Sequence, residues 1–231
     1  MSYPQHPETI VLRNEYYPKG LREIDIWNYY IKHKRLLLDE TKGHDIMFYI
    51  MVEENKPIIK RKTTDKAYIR LDQKNYEELM TGRTVSVHKS MNLYEKFGII
   101  DIDIDPSDGF AWAKKVTLET YEYAMDKMPI VKKVSIRYTG KTSFHVVCEF
   151  GRNLKVEAIQ FLLEKFLRAS PLVKAYTVGG RRKAGVPNLD LNRNVFRANH
   201  IALHSLSELG LRCMEVPYRD VIKFDKHRAM I

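Results

Sequence analysis

Apolar residues recur along the chain at two spacings, one typical of helices and one typical of strands. Helical spacing of Ile24, Trp27, Tyr30 and Ile31 predicts a helix over residues 21–38, and similar patterns predict helices at 73–80, 109–128 and 156–169. Asp108 is a candidate cap for the third of these. Extended runs predict strands at 46–52, 57–60, 67–71, 84–88, 97–104, 131–138 and 144–150. Because strands and helices interleave without an even βα repeat, we expect an α+β fold with a mixed sheet.

The composition indicates a globular, basic protein. Its positive charge fits a polyanionic partner, although a basic protein with no such partner is the alternative. The 231 residues are 44% hydrophobic and 11% aromatic, which is enough to build a core in one domain or two fused lobes. Lysine and arginine outnumber the acids by 39 to 29, giving a formal charge of +10. Such an excess suits nucleic acid, because neutralising phosphates releases condensed counterions.

The cysteines and apolar segments exclude several classes of protein. Cys148 and Cys213 are far apart, so we expect neither a disulfide framework nor a zinc cluster, and Cys148 lies in an apolar run typical of a core. We find no signal-peptide pattern and no apolar run long enough to span a bilayer. We therefore expect a soluble, cytoplasmic protein with no membrane partner.

Three aspartates alternate with isoleucines near the middle of the chain. On a strand, Asp101, Asp103 and Asp105 would share one face and the isoleucines would bury the other. A divalent cation with a preference for oxygen ligands, Mg²⁺ or Mn²⁺, would offset the repulsion between these carboxylates. A solvated edge strand with alternating charge is the alternative. Asp190 is the candidate for a further carboxylate, although an aspartate in such a loop is also typical of a turn.

A second candidate element is the turn 139–143, which joins two predicted strands and is followed by His145. Its small residues and Lys141 offer backbone N–H groups and a cation to a phosphate. The alternative is a plain hairpin with a packed histidine.

These segments together resemble the archaeo-eukaryotic primase superfamily, and within it the polymerase domain of bacterial end-joining DNA ligases and their stand-alone archaeal relatives. Residues 103–109 resemble its Asp-hydrophobic-Asp-Pro motif, and residues 139–145 resemble its Ser-Gly-rich turn ending in histidine. Residues 181–194 resemble its third motif, a basic run leading to an Asp-x-x-Arg-Asn element. Residues 85–88 and 20–30 resemble the histidine-bearing strand and the opening helix of those domains.

The resemblance implies a set of site residues. The catalytic carboxylates, which would bind two Mg²⁺ or Mn²⁺ ions, are Asp103, Asp105 and Asp190. The residues implied to contact a nucleoside triphosphate are His88, Thr139, Lys141, Ser143, His145, Arg197 and His204. We expect the nucleic acid to bind along a basic loop that contains Arg181, Arg182 and Lys183.

The resemblance also implies a fold and an activity. The expected fold is a primase-polymerase fold with an RRM-like catalytic core flanked by helices, in one domain with an N-terminal lobe at about 1–82 and a core at 83–231. The expected enzyme is a template-directed nucleotidyltransferase that extends or fills DNA ends or gaps in end joining, at the nucleoid, with a separate ligase and end-binding protein as partners. The absence of the zinc-binding cysteines of replicative primases favours this repair role. A primase that starts chains de novo and a non-catalytic DNA-end-binding scaffold remain the alternatives.

Overall fold

A computed structural model describes residues 4–105, 107, 109–180 and 183–231. The chain forms two compact units. The first comprises Met1–Ser90, Asn199–Met214 and Asp225–Ile231, and the second comprises Met91–Ala198 and Glu215–Phe224. None of the helices in the described part of the chain is both long enough and apolar enough to cross a membrane.

The first unit contains two sheets and short helices, with strands and helices numbered in chain order. Strands β1 (Ile10–Leu12) and β2 (Leu21–Arg22) form a two-stranded sheet. A four-stranded sheet has the order β11 (Asn199–Ile201), β5 (Thr84–Ser90), β3 (Ile46–Glu53) and β4 (Lys56–Lys60). The helices are α1 (Glu23–Lys32), α2 (Lys34–Thr41) and α3 (Tyr76–Leu79). We predicted an N-terminal lobe that ends near residue 82. The first unit instead extends to Ser90, so that it includes β5, and it also contains two later segments of the chain.

The second unit is a six-stranded mixed sheet with two long helices packed on it. The sheet order is β12 (Met214–Glu215), β7 (Val131–Tyr138), β8 (Phe144–Lys155), β6 (Tyr94–Asp103), β10 (Asn188–Asp190) and β9 (Thr177–Val178). Strand β9 runs parallel to β10, whereas the β7, β8, β6 and β10 pairings are antiparallel. The helices are α4 (Phe110–Lys127) and α5 (Val156–Arg168). The α+β fold with a mixed sheet is confirmed.

Strand β6 lies inside this sheet, between β8 and β10. The interpretation of the aspartate-bearing segment as a solvated edge strand is therefore wrong. Ile100 and Ile102 are fully buried and Ile104 is 5% exposed, as the alternating pattern predicts.

Two predicted elements differ from the structure. The predicted helix 21–38 is divided at His33, whose φ of −102° and ψ of 10° depart from helical values, so that α1 ends at Lys32 and α2 begins at Lys34. The predicted strand 67–71 forms only single bridges, through Tyr68 and Ile69. Ile69 bridges Ile46 at the start of β3, and β4 occupies the same edge of β3 from Phe48 onward, so this bridge cannot extend into a longer ladder.

Aromatic residues and a cysteine fill the core of the second unit. The Tyr138 and Phe224 ring centroids lie 4.9 Å apart, and Phe110 stacks on Phe144 at 5.4 Å. Burial raises the pKa of the Cys148 thiol to about 12, so this cysteine is an inert core residue, as predicted.

Close packing between β6 and α5 depends on Gly98. A Cβ atom at this position would lie 2.5 Å from Ile159 Cγ2, 2.8 Å from Leu163 Cδ1 and 3.2 Å from Asn194 Oδ1. The first two distances are shorter than any tolerated carbon contact, so the helix can approach the strand only where the side chain is absent.

We therefore expect Gly98→Ala to overpack this contact and to lower the free energy of unfolding by about 1–3 kcal/mol, measured by chemical denaturation. Gly151→Ala is the matched control, because it also lies in a strand but its added Cβ would meet only the flexible side chain of Lys132, at 3.3 Å. Equal stability of the two variants would show that α5 does not depend on this close approach.

Candidate active site

The acidic residues of β6 and β10 share one face of the six-stranded sheet. The antiparallel register places Asp190 opposite Asp101 and Asn188 opposite Asp103. Directly opposite residues of an antiparallel pair point to the same face, with Cα atoms about 4.5–5.5 Å apart. Asp101, Asp103 and Asp190 therefore line a common surface, although the immediate neighbour of Asp190 is Asp101.

Local hydrogen bonds fix two of the predicted carboxylates. Asp105 Oδ1 accepts hydrogen bonds from the backbone N–H and the hydroxyl of Ser107, at 3.0 and 2.7 Å. Asp190 Oδ1 accepts one from the backbone N–H of Asn192 at 2.9 Å. Pro106 and the predicted cap Asp108 lie outside the described residues, and α4 begins after Gly109, whose φ of 83° is in the left-handed region.

The carboxylates have the right chemistry for a hard divalent cation. Asp103, Asp105 and Asp190 are half-buried and offer only oxygen atoms, which are the ligands that Mg²⁺ and Mn²⁺ prefer. Among the described residues, however, no three His, Cys, Asp or Glu side chains are grouped closely enough to hold a metal ion. The convergence of these three aspartates on one site stays a prediction.

Asp101 lies at the centre of a buried ionic cluster. Its Oδ1 is 3.7 Å from His145 Nε2 and its Oδ2 is 3.4 Å from Arg193 Nε, with the Asp101 side chain only 12% exposed. Burial alone raises the pKa of the Asp101 carboxyl, but the adjacent imidazole and guanidinium outweigh it and hold the pKa below its ordinary value. Asp101 is therefore an ionised, compensated carboxylate in the interior of the sheet.

All three named residues of the Asp-x-x-Arg-Asn element lie against strand β6. Asp190 ends β10, Arg193 reaches Asp101, and Asn194 is fully buried against β6. The Asn194 side chain accepts a hydrogen bond from the Ile99 N–H at 2.7 Å and donates to the Ile99 carbonyl at 2.6 Å. It also donates to the Leu191 carbonyl at 3.1 Å. Sequence reasoning gave no role to Arg193 or Asn194, although their spacing from Asp190 was the signal that could have pointed to them.

The turn 139–143 joins β7 to β8 and is closed by its own hydroxyl groups. Thr139 donates hydrogen bonds to the Ser143 carbonyl through its N–H at 3.2 Å and its Oγ1 at 3.0 Å. The Tyr138 hydroxyl donates to the Lys141 carbonyl at 2.7 Å, which fixes the turn to the aromatic core. Gly140 has a φ of 82°, and the Lys141 side chain is exposed.

His145 follows this turn on β8 and lies opposite Asp101 on β6 and opposite Arg137 on β7. The structure therefore joins the turn to the acidic face through one cross-strand row.

Arg197, in the same unit, is exposed, has a backbone φ of 63°, and places its guanidinium 5.0 Å from the Phe196 ring centroid. A non-glycine residue in this conformation is uncommon and is often found at functional sites.

The other two predicted nucleotide contacts belong to the first unit. His88 lies on β5, with its ring 5.0 Å from that of Tyr49. His204 has a φ of 68°, and its carbonyl accepts a hydrogen bond from the Tyr29 hydroxyl at 2.9 Å.

Only one of the three predicted basic residues of the nucleic-acid loop is described. Lys183 is exposed, and its carbonyl accepts a hydrogen bond from the Val186 N–H at 3.2 Å. Arg181 and Arg182 lie outside the described residues. Gly180 and Gly185, on either side, both have a φ of 68°, a conformation that glycine adopts without strain.

Comparison with known proteins gives a match to solved structures but none to sequences. No protein-family profile and no curated protein sequence matches the chain. A solved structure, the polymerase domain of ligase D from Mycobacterium tuberculosis in complex with DNA, matches with a TM-score of 0.79 and 11% sequence identity. The match covers 96% of this chain and 88% of that domain. The chain has the fold of the ligase D polymerase domain.

The predicted primase-polymerase fold is thereby confirmed. Because the match covers 96% of this chain, the polymerase-domain fold extends over nearly all of both units. At 11% identity the similarity concerns the fold and not the chemistry of the site.

The buried amide of Asn194 gives a direct test of how the acidic face is built. Asn194→Ala would leave the Ile99 N–H and carbonyl without these partners, and each buried unsatisfied group costs about 1–3 kcal/mol. We expect a loss of about 2–4 kcal/mol in the free energy of unfolding, measured by urea denaturation. The exposed neighbour Asn192→Ala is the control and should be nearly neutral. A neutral Asn194→Ala would contradict this role of the amide.

Proposed function

We propose that this protein is a template-directed nucleotidyltransferase that extends or fills nucleic-acid ends by two-metal phosphoryl transfer. The observation that carries the proposal is the cross-strand row in which His145, which follows the turn 139–143, lies beside the acidic face of Asp101, Asp103 and Asp190. A phosphate-binding turn next to clustered carboxylates is what transfer from a triphosphate requires.

The proposed metal ligands are Asp103, Asp105 and Asp190, with Mg²⁺ or Mn²⁺ as the ions. When bound, two such ions activate the attacking hydroxyl and stabilise the charge that develops on the leaving pyrophosphate. The contribution of the chain is to hold these carboxylates half-buried at the ends of β6 and β10, where the Ser107 and Asn192 N–H groups orient two of them.

The proposed triphosphate contacts in the second unit are Thr139, Lys141, Ser143, His145 and Arg197. Lys141 and Arg197 are exposed cations, while the hydroxyls of Thr139 and Ser143 lie 3.1 Å apart at the mouth of the turn. Cations and hydroxyl groups at fixed positions stabilise the charge of a transferring phosphoryl group.

The proposed macromolecular partner is DNA, and the proposed process is the repair of broken ends. Support comes from the formal charge of +10 and from the fold shared with a ligase polymerase domain whose structure was solved with DNA. A separate ligase and an end-binding protein would complete such a reaction.

The proposal is tested by primer extension on gapped and on primer-free templates, with dNTPs or NTPs and with Mg²⁺ or Mn²⁺. We expect extension of the gapped template, and Asp103→Asn should lower kcat by about a hundred-fold or more, because a metal site supplies several kcal/mol of transition-state stabilisation. Asp126→Asn, the same change at an exposed position of α4, is the control and should leave kcat unchanged.

Equal extension by wild type and Asp103→Asn would refute the catalytic role of the acidic face. DNA binding without any extension would favour a scaffold. Product formation on the primer-free template would instead assign de novo priming.

The basic loop is tested by the salt dependence of DNA affinity. The triple variant Arg181→Ala, Arg182→Ala and Lys183→Ala should reduce the slope of log K against log salt by up to about 0.9 for each duplex phosphate no longer neutralised. Affinity should fall by a similar factor on unrelated sequences, because phosphate contacts carry no base information.

The comparison variant carries Lys60→Ala, Arg61→Ala and Lys62→Ala, three exposed residues at and after the end of β4. A wild-type slope in the first variant and a reduced slope in the second would place the DNA on the β4 side instead.

A further inference from the structure

Asp101 belongs to the acidic face but is not among the proposed metal ligands or phosphate contacts. We propose that Asp101 is a positioning residue that holds the His145 imidazole and the Arg193 guanidinium in place beside the metal-binding carboxylates, without being a metal ligand itself. This inference rests on the proposed function and names a further residue of the same site.

The register of three strand pairs places Asp101 at a junction. Across the sheet, the row reads Arg137 on β7, His145 on β8, Asp101 on β6 and Asp190 on β10. Directly opposite residues share one face, so Arg137 and His145 lie on one side of this row, Asp101 and Asp190 lie on the other, and His145 meets Asp101 in the middle.

Burial explains why Asp101 needs both of its partners. A carboxylate that is only 12% exposed is costly to bury unless it is paired, and its two partners come from separate elements, His145 from β8 and Arg193 from the turn after β10. Each carboxylate oxygen faces one of them, Oδ1 at 3.7 Å from His145 and Oδ2 at 3.4 Å from Arg193.

The same contacts argue against metal binding by Asp101. A divalent ion at Asp101 would have to stand beside the Arg193 guanidinium and the His145 ring, which repel it or compete for the same oxygens. Asp103, two residues further along β6, is half-buried and has the neutral Asn188 opposite it. The metal is therefore expected on the Asp103 side of the face.

Positioning of His145 has a chemical consequence. Its Nε2 lies 3.7 Å from Asp101 Oδ1, so in this proposal Nδ1 is the ring nitrogen that would meet a nucleotide phosphate. Asp101 would thus fix the orientation in which the imidazole meets the triphosphate, as carboxylates commonly orient functional histidines.

The test compares Asp101→Asn with Asp103→Asn and with the exposed control Asp126→Asn. We expect Asp101→Asn to raise the nucleotide KM about ten-fold through loss of a charge-assisted contact, with kcat and the Mn²⁺ affinity equal to those of Asp126→Asn. Asp103→Asn should instead weaken Mn²⁺ binding, measured by paramagnetic resonance of the free ion. The double variant Asp101→Asn, His145→Gln should be no worse in KM than His145→Gln alone.

Two results would overturn the inference. If Asp101→Asn weakened Mn²⁺ binding as much as Asp103→Asn, Asp101 would be a ligand. If its KM equalled that of Asp126→Asn, it would position nothing. Should Asp101→Asn fail to fold, Arg193→Gln removes the other half of the cluster from an exposed residue and should raise KM in the same way.

Nitrogen NMR of the His145 ring separates this inference from the proposed function. In the free protein, Asp101→Asn should shift the His145 ring-nitrogen signals and Asp126→Asn should not, whether or not the enzyme extends a primer. Unshifted signals would refute the positioning role even in an active polymerase. Shifted signals in a protein that extends no primer would refute the polymerase and retain the contact.

Discussion

The acidic face depends on the double hydrogen bond between the Asn194 amide and the backbone of Ile99. Strand β10 has only three residues, too few to fix its own register against β6. Asn194 continues the ladder with a side chain in place of backbone, at distances of 2.7 and 2.6 Å, after the chain has turned away from the sheet. The turn that delivers Asn194 also carries Arg193 to Asp101. One amide thereby sets both the position of Asp190 and the compensation of its acidic neighbour.

That compensation lets two carboxylates stand directly opposite each other within a sheet. Like charges in such a pair destabilise the ladder. Here Asp101 is paired with Arg193 and lies beside His145, while Asp190 is half-buried. The remaining carboxylates, Asp103 and Asp190, stand at the ends of β6 and β10, beside the row that contains His145.

Much of this architecture can be predicted from the sequence, and there are definite physical reasons why the remaining features cannot. Alternation predicted the shared face of the aspartates and the burial of Ile100, Ile102 and Ile104, because side-chain direction is a local property of a strand. Pairing is not local: the same pattern fits an edge or an interior strand, so neither the place of β6 in the sheet nor the opposition of Asp190 and Asp101 could be predicted. Residues 67–71 have strand composition, but β4 occupies the edge of β3 beyond the single Ile46–Ile69 bridge, and the hydrophobic pattern does not show the backbone break at His33.

The last strand of the four-stranded sheet, β4, has a consequence for how the protein is handled. Its Ile58 and Ile59 are 49% and 50% exposed, which would make it a template for sheet formation between molecules. Pro57 interrupts its row of N–H donors, and Lys60 adds a positive charge at its end, whereas Lys56 is paired with Glu53. Repulsion between the Lys60 side chains of two molecules acts over a Debye length of about 10 Å at 0.1 M salt and about 3 Å at 1 M. Concentrated salt would therefore remove one of these two barriers to edge-to-edge association of this protein.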